Sequence, residues 1–187
     1  MSTPAGPQRR PTAAEARAEV EARSKAERAQ RDAAMAERFG DSISGWSIVQ
    51  ASIITTGLFV VMTVAASWIN TRPVRIVVAL VDSALFLAGC AVFLKALYDG
   101  AQRSREAEMT MAGWWFLSGT APKRVQQALL GCLGVQVFVG LAGAAARRES
   151  LLAFGILVPT LGLAFCGLWS ARHGLFPPRV TEGRTPP

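Results

Sequence analysis

Polar and apolar positions are sharply segregated along this chain. Residues 1–45 are hydrophilic throughout. Four long apolar blocks follow, at residues 48–69, 74–98, 125–146 and 151–171, separated by polar connections. Each has the ~20 residues that a helix needs to cross a ~30 Å hydrocarbon layer. A spanning strand requires a closed barrel and strict alternation of apolar and polar residues. These blocks are apolar on all sides. The pattern predicts an all-α polytopic membrane protein, a four-transmembrane-helix bundle with a soluble N-terminal helix. The domains are a tail at 1–45, a membrane domain at 46–172 and a short tail at 173–187.

The N-terminal piece carries its own helix signals. Thr12 and Glu15 have capping-box spacing, just after Pro11. Gly40 follows Phe39 as a stop, which predicts a helix over 12–39. Glu19–Arg23, Glu21–Lys25 and Glu27–Arg31 are favourable pairs four residues apart. No heptad of large apolar residues runs through it, which argues against a strong coiled coil. Two readings stay open: a solvated, charged helix, or a docking arm for a partner.

Charge near the span ends predicts the threading. With the N-terminus inside, the inner segments hold ten basic residues: Arg28, Arg31, Arg38, Arg103, Arg105, Lys123, Arg124, Arg172, Arg179 and Arg184. The outer loops hold four: Arg72, Arg75, Arg147 and Arg148. Basic residues gather on the cytoplasmic side, so both termini are expected there. The connections at 70–73 and 147–150 are short enough to force antiparallel neighbours. Trp46, Tyr98 and Trp169 are expected at the inner boundary and Trp68 at the outer one.

The longer inner connection contains "MTMAGWWFLSGTAPKR", residues 109–124. Its apolar part is too short to span. Trp114, Trp115 and Phe116 suit an inner-leaflet surface helix or a re-entrant wedge, and Lys123 and Arg124 suit anionic head groups. Simple anchoring and a specific lipid or partner contact are both compatible with these residues.

Composition narrows the class further. The chain has 187 residues, 51% of them hydrophobic, and a mean hydropathy of +0.29. No short apolar segment lies within 1–45, so the first span is expected to act as the insertion signal and to be retained. The net charge of +7 does not mark a nucleic-acid-binding domain, because residues 1–45 hold eight Arg and Lys against seven Asp and Glu. No nucleic-acid partner is expected. Cys90, Cys132 and Cys166 all lie inside spans, which argues against a disulfide framework. They share a rough level, but no histidine joins them there. They read as small buried residues rather than a soft-metal site. No metal and no cofactor is predicted.

The chemistry-bearing residue is Asp82, inside "VALVDSALFLAGCAVFLKALYD" (residues 78–99). Counted at the helical rise, Asp82 lies about 12 Å from the outer end of its span, Gln136 about 15 Å, Thr160 about 13 Å and Thr63 about 9 Å. An ionisable group in lipid costs several kcal/mol unless it turns inward and finds partners. Asp82 is therefore expected to face the bundle interior beside Gln136, Thr160 and Thr63, at the level where Pro159 removes a backbone donor. Either a structural hydrogen-bond cluster or a proton or cation site fits that grouping. Lys95 is too far along the helix to pair with Asp82, about 20 Å, and is expected to snorkel inward. Gly140 and Ala144, Ala84 and Ala88, and Gly162 and Cys166 are small pairs four apart that suit close helix approach.

No phosphate-cradling glycine loop, no Ser/His/Asp set and no paired membrane carboxylates occur, so an enzyme is not expected. The stretches "LAFGILVPTLGLAFCGLWSARHGLFPPR" (152–179) and "FLSGTAPKRV" (116–125) resemble small four-span membrane proteins of high-GC actinobacteria, a group to which no activity is attached. The resemblance covers the second half of the chain. It implies a bacterial plasma-membrane location and transfers no catalytic or binding residues. The expected function is a non-enzymatic accessory or interaction subunit of a membrane complex. The alternative is a small oligomeric transporter or channel using Asp82. The expected partners are the lipid bilayer and either another membrane protein or further copies of the chain.

Overall fold

The structure is a computed structural model describing residues 12–40, 44–69, 71–146 and 151–179, with backbone only at 16, 31, 146 and 151–153. It divides into two compact units, Met1–Gly40 and Asp41–Pro187.

The described residues of the first unit form one helix, α1 (Ala13–Phe39). Its start is the predicted capping box. Thr12 Oγ1 accepts from the Glu15 amide at 3.3 Å, and Glu15 Oε2 accepts from the Thr12 amide at 2.7 Å. Two otherwise unsatisfied N-terminal donors are thereby paired. Exposed ion pairs join Arg23 to Glu19 at 3.1 Å and Lys25 to Glu21 at 2.7 Å. Each adds only a few tenths of a kcal/mol, about 0.3–0.5. The third expected pair, Glu27–Arg31, involves a side chain outside the described residues. The helix stops at Gly40, whose φ of 43° lies where a side chain is disfavoured.

The second unit contains α2 (Trp46–Trp68), α3 (Arg72–Arg103), a short α4 (Met111–Trp115), α5 (Lys123–Ala146), a 3-10 helix (Leu151–Leu157) and α6 (Pro159–His173). Four stretches are long and apolar enough to cross a membrane: Trp46–Trp68, Arg72–Arg103, Lys123–Ala145 and Phe154–His173. The protein is an all-α polytopic membrane protein. We term the end where α2 begins and α6 finishes proximal, and the opposite end distal.

α2, α3 and α5 each bury one narrow face and leave Leu, Ile and Val on the other. α6 differs. Ten of its 15 residues are buried, and it packs most extensively on α3. Glycine makes these approaches close. A Cβ at Gly89 would lie 2.9 Å from the Leu161 amide nitrogen, and one at Gly140 would lie 2.9 Å from the Gly155 carbonyl oxygen. Of the predicted small pairs, Ala84 and Ala88 instead point outward, and Gly89 makes the α3 contact.

The fourth span departs from the continuous helix expected over 151–171. Its distal part is a 3-10 turn, and α-helix begins only at Pro159. Pro159 has no amide to donate to the Gly155 carbonyl and its ring crowds that oxygen. The carbonyl accepts from the Val158 amide instead, at 3.2 Å.

The proximal end is tied together by segments far apart in sequence. The Arg103 guanidinium donates to the carbonyls of Ala171 at 2.9 Å and Gly174 at 2.5 Å. Ala107 and Pro178 form an antiparallel bridge, flanked by Glu108 N–H to Pro177 O and Arg179 N–H to Glu106 O, both 2.9 Å. Asp99 pairs with Lys95, and with Arg172 of α6 at 2.8 Å. Trp169, expected at the membrane boundary, is 0% exposed. Its indole N–H donates to the Ser44 carbonyl at 3.2 Å. Trp68 is 86% exposed at the distal end.

Candidate functional site

The buried face of α2 runs Val49, Ser52, Thr56, Phe59, Thr63, Ala66. The intervals alternate between three and four residues, which keeps one stripe of a helix facing a partner. Three of the six positions carry hydroxyls. From Ser52 to Thr63 the stripe rises about 16 Å. The facing helices add Gln136 from α5 and Asp82 from α3. Asp82 is 1% exposed and Gln136 0%.

Gln136 Nε2 donates to Thr56 Oγ1 at 2.7 Å. This pair couples α2 to α5 in the bundle interior. Gln136 Oε1 points to α6, where a Cβ at Gly162 would approach it to 2.5 Å, so only glycine leaves room for it. One turn toward the distal end, Asp82 faces the 3-10 segment. A Cβ at Gly155 would lie 3.4 Å from Asp82 Oδ2 and 3.3 Å from the Phe59 ring. Asp82 and Phe59 thus share a level, above the Thr56–Gln136 pair. Thr63 lies a further turn out, its methyl against Gly143 of α5.

The interior polar atoms are incompletely paired. Ser52 Oγ, Thr63 Oγ1, Asp82 Oδ1 and Gln136 Oε1 have no hydrogen-bond partner among the described residues. The expected grouping is therefore realised in part. Asp82, Gln136 and Thr63 all enter the interior, but Gln136 bonds Thr56 rather than Asp82. Thr160 is half-buried. Ser52 and Thr56 were missing from the sequence reading, although their place in the three–four repeat of α2 carried the signal. Counting depth in the membrane singles out polar residues but does not give their direction around the helix. No group of three metal-ligating residues occurs among the described residues.

The aromatic segment between α3 and α5 is packed into the protein. Trp115 is buried, stacked on Phe93 with centroids 4.8 Å apart and on Trp114 at 4.9 Å. The Trp114 indole N–H donates to the Gly167 carbonyl at 3.1 Å. Cβ atoms at Gly100 and Gly167 would lie 2.2 Å from Trp114 and 2.4 Å from Trp115, so both rings lie flush on backbone. Thr120 and Ser170 hydroxyls donate to the Gly113 carbonyl at 2.8 and 3.0 Å, locking α4 to α6. Phe116 alone of the three aromatics is exposed, at 56%. Lys123 and Arg124 are exposed on the first turn of α5, and Gln126 Nε2 donates to the Phe116 carbonyl at 3.2 Å.

The fold and this interior seam define a four-span α-helical membrane protein with a buried carboxyl. No protein-family model, curated protein or solved structure matches the chain.

Proposed function

We propose that the protein is a non-enzymatic accessory subunit of a plasma-membrane complex, with both termini in the cytoplasm. The bundle is its anchor and α1 its docking element. The observation that carries this reading is a seam on α1. Ala22, Ala26, Ala29, Ala33 and Ala36 recur at intervals of four and three residues, and all are exposed. That is the period of a two-helix seam, and small residues let a second backbone approach closely. Charged side chains flank the seam on both sides, so a partner helix is selected by complementary charge. Phe116, Lys123 and Arg124 supply the inner-leaflet lipid contact, an apolar ring beside two cations.

The test is gentle solubilisation of native membranes containing a tagged copy, followed by mass determination and identification of what co-purifies. The expected result is a stoichiometric, unrelated membrane protein that is lost when Ala29 and Ala33 are both changed to Glu. A particle holding only copies of this chain and lipid overturns the reading.

A further inference from the structure

The hydroxyls of this bundle follow two different rules. Outside the buried faces they bond back to their own helix. Thr55 donates to the Ala51 carbonyl at 2.8 Å, Ser67 to Thr63 at 2.8 Å and Ser83 to Ala79 at 2.7 Å. This is the ordinary way for a hydroxyl to be satisfied in lipid. Ser52 and Thr63, on the interior stripe, do not use it, and their oxygens remain unpartnered. With Asp82 Oδ1 and Gln136 Oε1 they make four open oxygens in one interior, each on a side chain at least nine-tenths buried. Leaving such a group unpaired is costly, because its desolvation is not repaid. The set has one common need. Asp82 Oδ1 and Gln136 Oε1 are acceptors without a donor, and the two hydroxyls can both give and take a hydrogen.

We propose that Asp82 is a proton-binding site in the membrane core, with the interior hydroxyls of Ser52, Thr56 and Thr63 as the groups that serve proton exchange with it through intervening water. This goes beyond the docking role of α1 and does not depend on it.

Three features select the proton over a metal cation. Beside Asp82 Oδ2 stand a glycine and an aromatic ring: a Cβ at Gly155 would lie 3.4 Å from that oxygen and 3.3 Å from Phe59, so neither neighbour brings a side-chain oxygen to a cation's ligand shell. The Gln136 amide nitrogen is engaged by Thr56 and holds the carbonyl oxygen toward α6. Among the described residues no second carboxylate stands by to complete a cation site. α2 and the 3-10 segment carry no ionisable residue. Those of α5 are Lys123, Arg124 and Cys132, and those of α6 are Cys166, Arg172 and His173, all toward the proximal half. On α3 itself, Arg75 lies two turns distal, about 10 Å along the axis, and Cys90 two turns proximal. The ionised carboxyl therefore has no close counter-charge among the described residues, and the proton is the occupant that neutralises it. The step is a simple one. The carboxylate oxygen takes a proton from a water-borne hydronium, the O–H bond of the acid forming as the O–H bond of the hydronium breaks and water is released, and the interior hydroxyls hold that water by giving and taking hydrogen bonds.

The test is infrared difference spectroscopy on the full-length protein in phosphatidylcholine–phosphatidylglycerol vesicles. Wild type is expected to show the carbonyl stretch of a protonated carboxylic acid at neutral pH. The band shifts in heavy water, disappears reversibly at alkaline pH and is absent from Asp82→Asn. In Asp82→Glu it returns at a displaced frequency, which separates loss of the proton from loss of the fold. Ser52→Ala combined with Thr63→Val is expected to keep the band but slow its hydrogen–deuterium exchange at least about tenfold, the loss of either hydroxyl being comparable to that factor. Identical spectra for wild type and Asp82→Asn overturn the proposal. So does a band that neither exchanges nor titrates, which makes Asp82 a static structural acid. A band abolished by sodium at constant pH overturns it in favour of a metal-cation site.

Discussion

Two glycines decide how the tryptophans lie. Gly100 and Gly167 present bare backbone to Trp114 and Trp115. Gly167→Ala places a methyl group 2.4 Å from the Trp115 ring, which must then leave its stack on Phe93. Overpacking of this kind costs about 1–3 kcal/mol. A lowered thermal midpoint in detergent, with a red-shifted tryptophan emission, is the expected outcome. Unchanged values for both would show that the rings are not held by this contact. At this scale the sequence was legible in depth and illegible in direction. Counting along a span put Asp82, Gln136 and Thr63 at comparable heights, and they do enter the interior. The aromatic pattern put Trp169 at a boundary, and its indole does reach Ser44 just before α2, but the ring is buried in the protein rather than exposed there. Counting also paired Ala84 with Ala88, which point outward, and missed Ser52 and Thr56. Height depends on residue number alone, but direction depends on what the neighbouring helix offers.

Among elements, α1 is the most fully written in its own residues. Its cap is local: Thr12, Glu15 and three peptide units. The Thr12 backbone N–H, and then its hydroxyl, hold the Glu15 carboxyl below the ordinary carboxylate range. Its folded value is lowered, so its contribution to the helix is present above the ordinary range and is lost as pH falls through the lowered one. Acidification is therefore expected to fray the first turn of α1 in wild type. Glu15→Gln removes the carboxylate and should flatten this part of the pH dependence, read as the difference between the two far-ultraviolet dichroism titrations. Coincident titrations would rule the cap out as the responsive group. The fourth span shows the opposite case. Pro159 was visible, and so was its missing donor. The chain answers with a 3-10 turn rather than a kinked α-helix, and in that turn the Gly155 carbonyl lies close against Gly140 while Gly155 itself lies beside Phe59 and Asp82.

For the whole molecule, four spans return the chain to the side from which it started. Peptide tags at the two ends are expected to behave alike: both protected from protease in intact cells and both cleaved in inverted vesicles. Opposite behaviour of the two tags would mean that one stretch does not cross. Accessibility of both in intact cells would reverse the proposed orientation. The proximal end adds a feature that no single segment announces. Arg103 caps the end of α6, residues 106–108 bridge to 177–179, and α4 carries its tryptophans onto α3 and α6. The connection between α3 and α5 suited an interfacial wedge by composition, and Phe116 keeps that exposure. Trp115 is drawn inside because glycine gaps on α6 and a facing Phe93 offer a ring more contact than a head-group layer does.

The sequence by itself determined that this is a four-span all-α membrane protein, where its spans run, and how its leading helix is capped. Those features answer to one-dimensional constraints: the thickness of the hydrocarbon layer, the helical rise, and hydrogen bonds between residues three or four apart. Only the tertiary structure decided which stripe of each helix faces inward, where the last span gives up α-helical geometry, and that Ser52 and Thr56 join Asp82, Gln136 and Thr63 in one interior. Those outcomes rest on contacts between residues distant along the chain, where shape complementarity and the absence of water select one arrangement among many with the same apolar pattern.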